Sequence, residues 1–403
     1  MKASGQLEQR LLVLVTLALV AFGLVMVFSA TSAAAALGNG DPVTFLKRQG
    51  IYALIGVGLL VAASRFDHRK LRSLAPALVV VAIVLCVAVL AIAPPINGAR
   101  RWLTAGPLTF QPSELAKLAL LVWAAAYLAR NGAPRTLGEL WKPIGMLTAL
   151  FAALIVFEPD LGTTIALVLM VAGMLVVAGV PGRTLGAAAT IATIGGVAAM
   201  WLEPYRRARL FSFLDPWSDP QDSGFQTVQA LIGIGSGGLT GKGLGEGVQK
   251  INYLPEQLTD MILAVIGEEL GVAGVCGLLF LYGMIGYAGL RTAKNAKGAY
   301  AKLLAGGLTS LILCQALLNV YAVLGLAPLT GVPLPFVSSG STSLIVLLCS
   351  MGLLLNIAGG GSAHLRAVDG GRERDRERAR GDRGGRHGRP RRAGDRGRGR
   401  AAG

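Results

Sequence analysis

The chain is poor in charge, in histidine and in paired cysteine. Only 15% of its 403 residues are Asp, Glu, Lys or Arg, where a soluble domain carries about a quarter. Much of even that charge is confined to the end: residues 359–403 hold 14 arginines against 6 acids, a surplus of 8 in a formal net charge of +16. So placed, the basic surplus gives no reason to expect a nucleic-acid-binding protein. A Gly/Arg-rich tail with almost no apolar residues cannot bury enough surface to fold, and it is expected to be disordered near anionic lipid headgroups. The three histidines are His68, in a charged loop, and His364 and His387, in the tail, which excludes a histidine-based site. Cys86, Cys276, Cys314 and Cys349 all fall inside apolar runs, with no CxxC and no partner at metal spacing. A disulfide framework and a cysteine metal centre are both excluded.

What the chain has instead is apolar length. It is 53% hydrophobic, with a mean hydropathy of +0.59. A spanning helix needs about 20 mostly apolar residues. The runs that qualify are 11–30, 46–64, 75–94, 114–130, 143–158, 160–179, 184–202, 261–290, 300–325 and 342–358. The spacing therefore predicts an all-α polytopic membrane protein of about ten transmembrane helices, with a long extracytoplasmic loop between helices 7 and 8. Residues 1–358 form the membrane domain, 203–260 the loop within it, and 359–403 the cytoplasmic tail. Leu11–Phe28 follows Lys2 and Arg10 but is too long for a signal-peptide core, so it reads as the first span. Pro159 sets the break between the fifth and sixth spans.

Lys/Arg bias gives the orientation. With the N-terminus inside, the cytoplasmic connections carry Arg65, Arg69, Lys70 and Arg72; Arg130, Arg135 and Lys142; Arg183; and Arg291, Lys294, Lys297 and Lys302. Short outer loops are poor in basic residues except Arg100 and Arg101. The long outer loop carries Arg206, Arg207, Arg209, Lys242 and Lys250, but long loops are exempt from the rule.

Polar residues near membrane depth are costly and so mark candidate sites. Arg100 and Arg101 precede Trp102, and guanidinium forks suit a diphosphate. Trp102 also reads as an interfacial anchor. Pro112-Ser113 opens a helix on which Glu114 and Lys117 can pair at i, i+3. Glu158-Pro159-Asp160 sets two acids in a turn, Asp160 at a helix start, where it also serves as a cap. The segment 235–245 invites a P-loop reading that fails: Ser236 stands at the first glycine position, Gly243 replaces the hydroxyl residue, and the segment faces away from cytoplasmic nucleotide. A weaker expectation is that its backbone cradles a lipid-linked diphosphate with Lys242 beside it. Asp260 sits where loop becomes membrane helix, a boundary suited to a general base or to a ligand of a hard divalent cation. Glu268 lies about 12 Å deeper and about 80° around the helix, so the two are no dyad by spacing alone.

Together these segments resemble the SEDS family of bacterial membrane proteins (FtsW, RodA, SpoVE), the peptidoglycan glycan-strand polymerases. The matching stretches are NGARRW (97–102), FQPSELAKL (110–118), EPDLGT (158–163), FLDPWSDPQDSGFQ (213–226), GSGGLTGKGLG (235–245), YLPEQLTD with AVIGEELG (253–271), and GVPLPFVSSG (331–340). QKINYLPE and SGFQTVQALIGIGSGG look most like the division-associated FtsW branch. The resemblance implies a lipid II polymerase in the bacterial plasma membrane, with its active site outside and a place at the division septum. Asp260 corresponds to the family's essential acid, and Trp102 to its loop tryptophan. Arg100, Arg101, Lys242, Lys250, Glu114, Lys117, Asp160 and Ser339 are the expected substrate contacts. Mg²⁺ or Mn²⁺ on Asp260 is the expected cofactor. Expected partners are lipid II, the undecaprenyl-diphosphate-linked glycan, a class B penicillin-binding protein with other divisome proteins, and membrane lipids. Two positions depart from the family pattern: Leu258 stands where a histidine is usual, and Ser338 to Ser343 replace the usual SYGGSS. A lipid II flippase and a non-catalytic scaffold for a transpeptidase are the rival readings.

Overall fold

The computed structural model describes residues 2–36, 42–95, 98–105, 108–201, 204–222, 224–250 and 257–360. The Arg-rich tail and the YLPE stretch at 253–256 lie outside the described residues, as does Asn97.

Ten helical segments among the described residues are long and apolar enough to cross a membrane, and each falls on one of the ten apolar runs. They are α1 (Lys2–Ala36), α2 (Pro42–Arg65), α3 (His68–Ile92), α4 (Pro112–Asn131), the compound span α5–α6 (Leu137–Leu140 and Met146–Phe157, joined by a wider turn), α7 (Leu161–Ala178), α8 (Gly182–Trp201), and then α11 (Ile262–Asn295), α12 (Ala299–Val323) and α13 (Ser341–Ala358), with α9 and α10 between. Local chemistry sets several ends. Asp67 caps α3 by accepting the Arg69 N–H, Pro112 opens α4, and Gly179 closes α7 in the left-handed conformation at φ 84°.

Burial divides the helices into two groups. Inside the protein lie 78% of the best apolar window of α4, 72% of that of α12 and 78% of that of α13, against 6% for α8. The first three make the centre of the bundle. The apolar side chains that α8 leaves exposed, Ile191, Ile194 and Val197 among them, suit acyl chains. Close approach at the centre depends on small residues. A Cβ on Gly352 of α13 would overlap the Leu60 carbonyl of α2.

Three features differ from a plain ten-helix reading. Two short strands, β1 (Leu103–Ala105) and β2 (Leu108–Phe110), pair antiparallel, with Thr104 opposite Thr109. The long loop carries two helices, α9 (Pro204–Leu214) and α10 (Phe225–Gly237). And α11 is broken at Gly271, whose φ of 66° and ψ of −164° are not helical.

That break explains the glycine-rich segment. In an unbroken helix the Val272 and Ala273 N–H groups would meet the Glu268 and Glu269 carbonyls. Here they donate instead to the Gly238 and Leu239 carbonyls, at 3.0 and 3.1 Å, while Lys242 and Gly243 N–H donate to the Glu268 and Glu269 carbonyls, both at 3.0 Å. The segment thus replaces two lost helix bonds, satisfying groups that would otherwise be buried unpaired. Backbone must come very close for this: a Cβ on Gly237 or Gly241 would overlap the Gly267 or Glu269 carbonyl. The amides of Gly241, Lys242 and Gly243 are therefore already taken and are not available to a diphosphate.

Candidate functional site

The segment carrying Asp260 is pinned from several sides. In the turn before α11, the Leu258 carbonyl accepts the Ser339 N–H at 2.7 Å. The Thr259 carbonyl accepts the Ser338 hydroxyl, and that same Oγ accepts the Leu334 N–H at 2.8 Å. The turn is therefore joined to the Pro-rich loop 328–340 by backbone groups. Thr259 Oγ1 lies 3.2 Å from Asp260 Oδ1. Asp260 is partly buried. Gly331 faces its carboxylate: a Cβ at that position would stand 3.9 Å from Oδ2, an ordinary van der Waals contact.

Beside this turn is a cavity of about 450 Å³. One wall is the N-terminal part of α2, with Phe45, Arg48, Gln49 and Tyr52; the other is Gln257, Leu258 and Thr259 of the Asp260 turn, with Ser339 and Ser341. Arg48 lies over the Tyr52 ring, 5.9 Å from its centroid, and Gln49 Nε2 donates to the Ser338 carbonyl at 3.2 Å. One guanidinium, four hydroxyls and two side-chain amides thus line a cavity next to the turn that carries Asp260. That is chemistry for an anionic, hydroxyl-rich ligand. Leu258 lends this wall an apolar side chain.

The comparisons with known proteins fit this arrangement. Residues 9–361 match the FtsW/RodA/SpoVE family, described as cell cycle proteins. The chain is 38% identical over 350 residues to the probable peptidoglycan glycosyltransferase FtsW of Geobacter sulfurreducens, covering 86% of this chain and 94% of that one. It is 37% identical over 352 residues to the stage V sporulation protein E of Bacillus subtilis, covering 86% and 96%. The chain belongs to the FtsW/RodA/SpoVE family. Among solved structures it resembles Thermus thermophilus rod shape determining protein RodA, at 31% identity and a TM-score of 0.64, covering 87% of this chain and 96% of that one. It also resembles a chain from a peptidoglycan synthase complex described as coordinating polymerization and crosslinking, at 32% identity and a TM-score of 0.73, covering 87% and 98%.

Within this family member the expected site residues are placed unequally. Ser339 lines the cavity. Trp102 is half-buried, with Arg101 Cζ 6.0 Å from its ring centroid. Arg101 holds the Glu158-Pro159 turn: Nε donates to the Glu158 carbonyl at 3.2 Å and Nη2 to that of Pro159. Arg100 is exposed and donates to the Leu90 carbonyl at 3.1 Å. Glu114 and Lys117 form the expected pair at 2.8 Å, almost wholly buried. Lys242 pairs with Glu268 at 2.8 Å and Lys250 with Glu269 at 2.7 Å. None of these arginines and lysines is among the residues that line the cavity.

Asp160 caps α7, accepting the Thr163 N–H at 3.0 Å and the Thr163 hydroxyl at 2.9 Å. It also accepts Gln111 Nε2 at 3.1 Å. Its neighbour Glu158 is fully buried, and neither carboxyl oxygen has a hydrogen-bond partner. Burial, aided by the Asp160 charge, pushes the Glu158 carboxyl up to about 8. At neutral pH it is therefore mostly protonated. Sequence reasoning missed Arg48, Gln49 and Tyr52, although a cation and two polar groups within the apolar run 46–64 were a usable signal.

Proposed function

We propose that this multi-pass membrane protein is a peptidoglycan glycosyltransferase that polymerises lipid II, with Asp260 as its general base or cation ligand. The observation that carries the reading is the cavity between Arg48 of α2 and the Asp260 turn. In the step we assign, an acceptor sugar hydroxyl on lipid II attacks the anomeric carbon of the growing glycan. The bond from that carbon to the lipid diphosphate breaks, and the hydroxyl proton passes to the Asp260 carboxylate. One displacement inverts the anomeric centre from α to β, so no glycosyl-enzyme intermediate is needed. The leaving diphosphate takes the electron pair, and Arg48 meets its charge.

A divalent cation, Mg²⁺ or Mn²⁺, fits beside Asp260. Mg²⁺ commonly takes only one or two protein carboxylates alongside phosphate oxygens and water, so the Asp260 carboxylate and the substrate diphosphate would suffice to hold it. Bound there, the cation would stabilise charge on the diphosphate.

We assign the site to the extracytoplasmic face from the Lys/Arg distribution, and the protein to the division septum from its likeness to FtsW chains. Its proposed partner is a class B penicillin-binding protein, in keeping with the synthase complex that the fold resembles.

A polymerase and a flippase are separated by blocking the acceptor hydroxyl of lipid II. In proteoliposomes of the purified chain, glycan strands should form from lipid II and fail to form from the blocked substrate. Transbilayer movement of blocked lipid II at an undiminished rate, without any polymer from native lipid II, would instead establish the flippase. A scaffold would form no polymer and would tolerate Asp260→Asn in cells. If Arg48 binds the diphosphate, Arg48→Ala should reduce kcat/KM by about 10- to 100-fold, the range of a lost charge-assisted contact of about 1.5–3 kcal/mol. Unchanged kcat/KM in folded Arg48→Ala protein would remove Arg48 from the mechanism.

A further inference from the structure

We infer that Asn319, buried near the C-terminal end of α12, is a positioning residue that sets the Asp260 carboxylate against the loop facing it. The inference rests on the reading of Asp260 given above. Asn319 is 1% exposed. Its amide nitrogen donates twice, to the Asp260 carbonyl at 2.7 Å and to the Val332 carbonyl at 2.9 Å. A single planar NH₂ group therefore fixes the relative placement of two segments far apart in sequence.

Each of those carbonyls matters to the site. That of Asp260 precedes α11, which starts at Ile262 with Met261 as its cap, so it stands before the run of helix bonds. Val332 follows Gly331, the residue that faces Asp260 Oδ2. Thr330, just before them, is pressed against the start of α7: a Cβ on Gly162 would overlap the Thr330 carbonyl. Loop 330–332 is thus wedged between the helix that Asp160 caps and the Asp260 turn, and Asn319 ties its far side to that turn.

The other half of the amide argues for function over packing. Asn319 Oδ1 is buried with no hydrogen-bond partner, which costs stability. A leucine would avoid that cost but would leave the Asp260 and Val332 carbonyls without the amide donor. What asparagine supplies is the pair of donors, and displacing a reacting group by about 1 Å can cost about 100-fold in rate.

The test is steady-state polymerisation of lipid II by the full-length chain. Asn319→Leu should lower kcat on the order of 100-fold while KM moves less than about threefold, in protein that still folds. In an Asp260→Glu background, where the carboxylate is already displaced by a methylene, adding Asn319→Leu should cost less than about threefold more. A full, additive loss in that background, or a wild-type kcat for Asn319→Leu, would overturn the inference. Should Asn319→Leu fail to fold, Asn319→Ser retains one short donor and should give an intermediate kcat; a wild-type kcat for it would equally overturn the inference. Asp260→Asn, run alongside, separates the two claims: full activity there sinks the role of Asp260 itself, whereas additivity sinks only that of Asn319.

Discussion

Asp260→Asn should leave a folded protein that polymerises lipid II at least about 100-fold more slowly, a loss of about 2.7 kcal/mol in transition-state stabilisation. The substitution is nearly isosteric. It keeps an oxygen to accept from Thr259 Oγ1, which now lies 3.2 Å from Asp260 Oδ1. The backbone contacts that pin the turn, from Ser338, Ser339 and Asn319, do not involve the carboxylate. What disappears is the negative charge, and with it both the proton acceptor and any affinity for a cation. The expected signature is an unchanged melting temperature with glycan product lost from a polymerisation gel. Full activity in folded Asp260→Asn protein would be incompatible with either role. Raising Mn²⁺ separates the roles: a weakened cation site should recover part of the rate, whereas a missing base should recover none.

Much of the fold was legible because spanning a membrane constrains sequence so strongly. Every backbone polar group must be paired internally, so each crossing is a helix and shows as a long, mostly apolar run, and a spanning helix falls on each of the ten runs. The Glu114–Lys117 pair and the Asp160 cap were legible as well, being local consequences of helical spacing. The candidate site was legible only in part. Asp260 announced itself as an acid where loop meets membrane helix, and Ser339 came in with the family resemblance, but the cavity wall from α2 did neither. Arg48 stands near the edge of an apolar run and belongs to no motif, and only tertiary packing brings it opposite the Asp260 turn. Asn319 is similar: with Gln315 it makes a buried polar pair at i, i+4 in an otherwise apolar helix, a signal that pointed to importance but not to a partner. The glycine-rich segment misled for a physical reason. Close approach to phosphate and close approach to another backbone ask for the same absent Cβ, and only the break at Gly271 shows which applies.

The partners of Lys242 and Lys250 were equally hidden from sequence, and Lys250 should prove the more sensitive of the two. Its side chain is 1% exposed and that of Glu269 is fully buried. Lys250 Nζ donates to Glu269 Oε1 and to the Gly245 carbonyl, both at 2.7 Å. From α1, Ser29 Oγ lies 2.8 and 2.6 Å from the two oxygens of the same carboxylate. Lys250→Met would strand that carboxylate in the bundle with only the Ser29 hydroxyl, a loss of about 3–5 kcal/mol by the usual penalty for a widowed buried charge. Replacing both partners, as Lys250→Met with Glu269→Leu, removes the charge altogether and should recover most of the loss. Lys242 is different: its side chain is 34% exposed, and Glu268 keeps the Val248 and Gln249 N–H groups, both at 3.0 Å, when the lysine goes. Lys242→Ala should therefore cost much less. Melting of the detergent-solubilised protein checks the set. Equal melting temperatures for wild type, Lys250→Met and the double variant would mean the pair adds nothing to stability. A raised KM for lipid II in Lys250→Met at an unchanged melting temperature would instead make Lys250 a substrate contact, which would require the Lys250–Glu269 pair to open when the diphosphate binds.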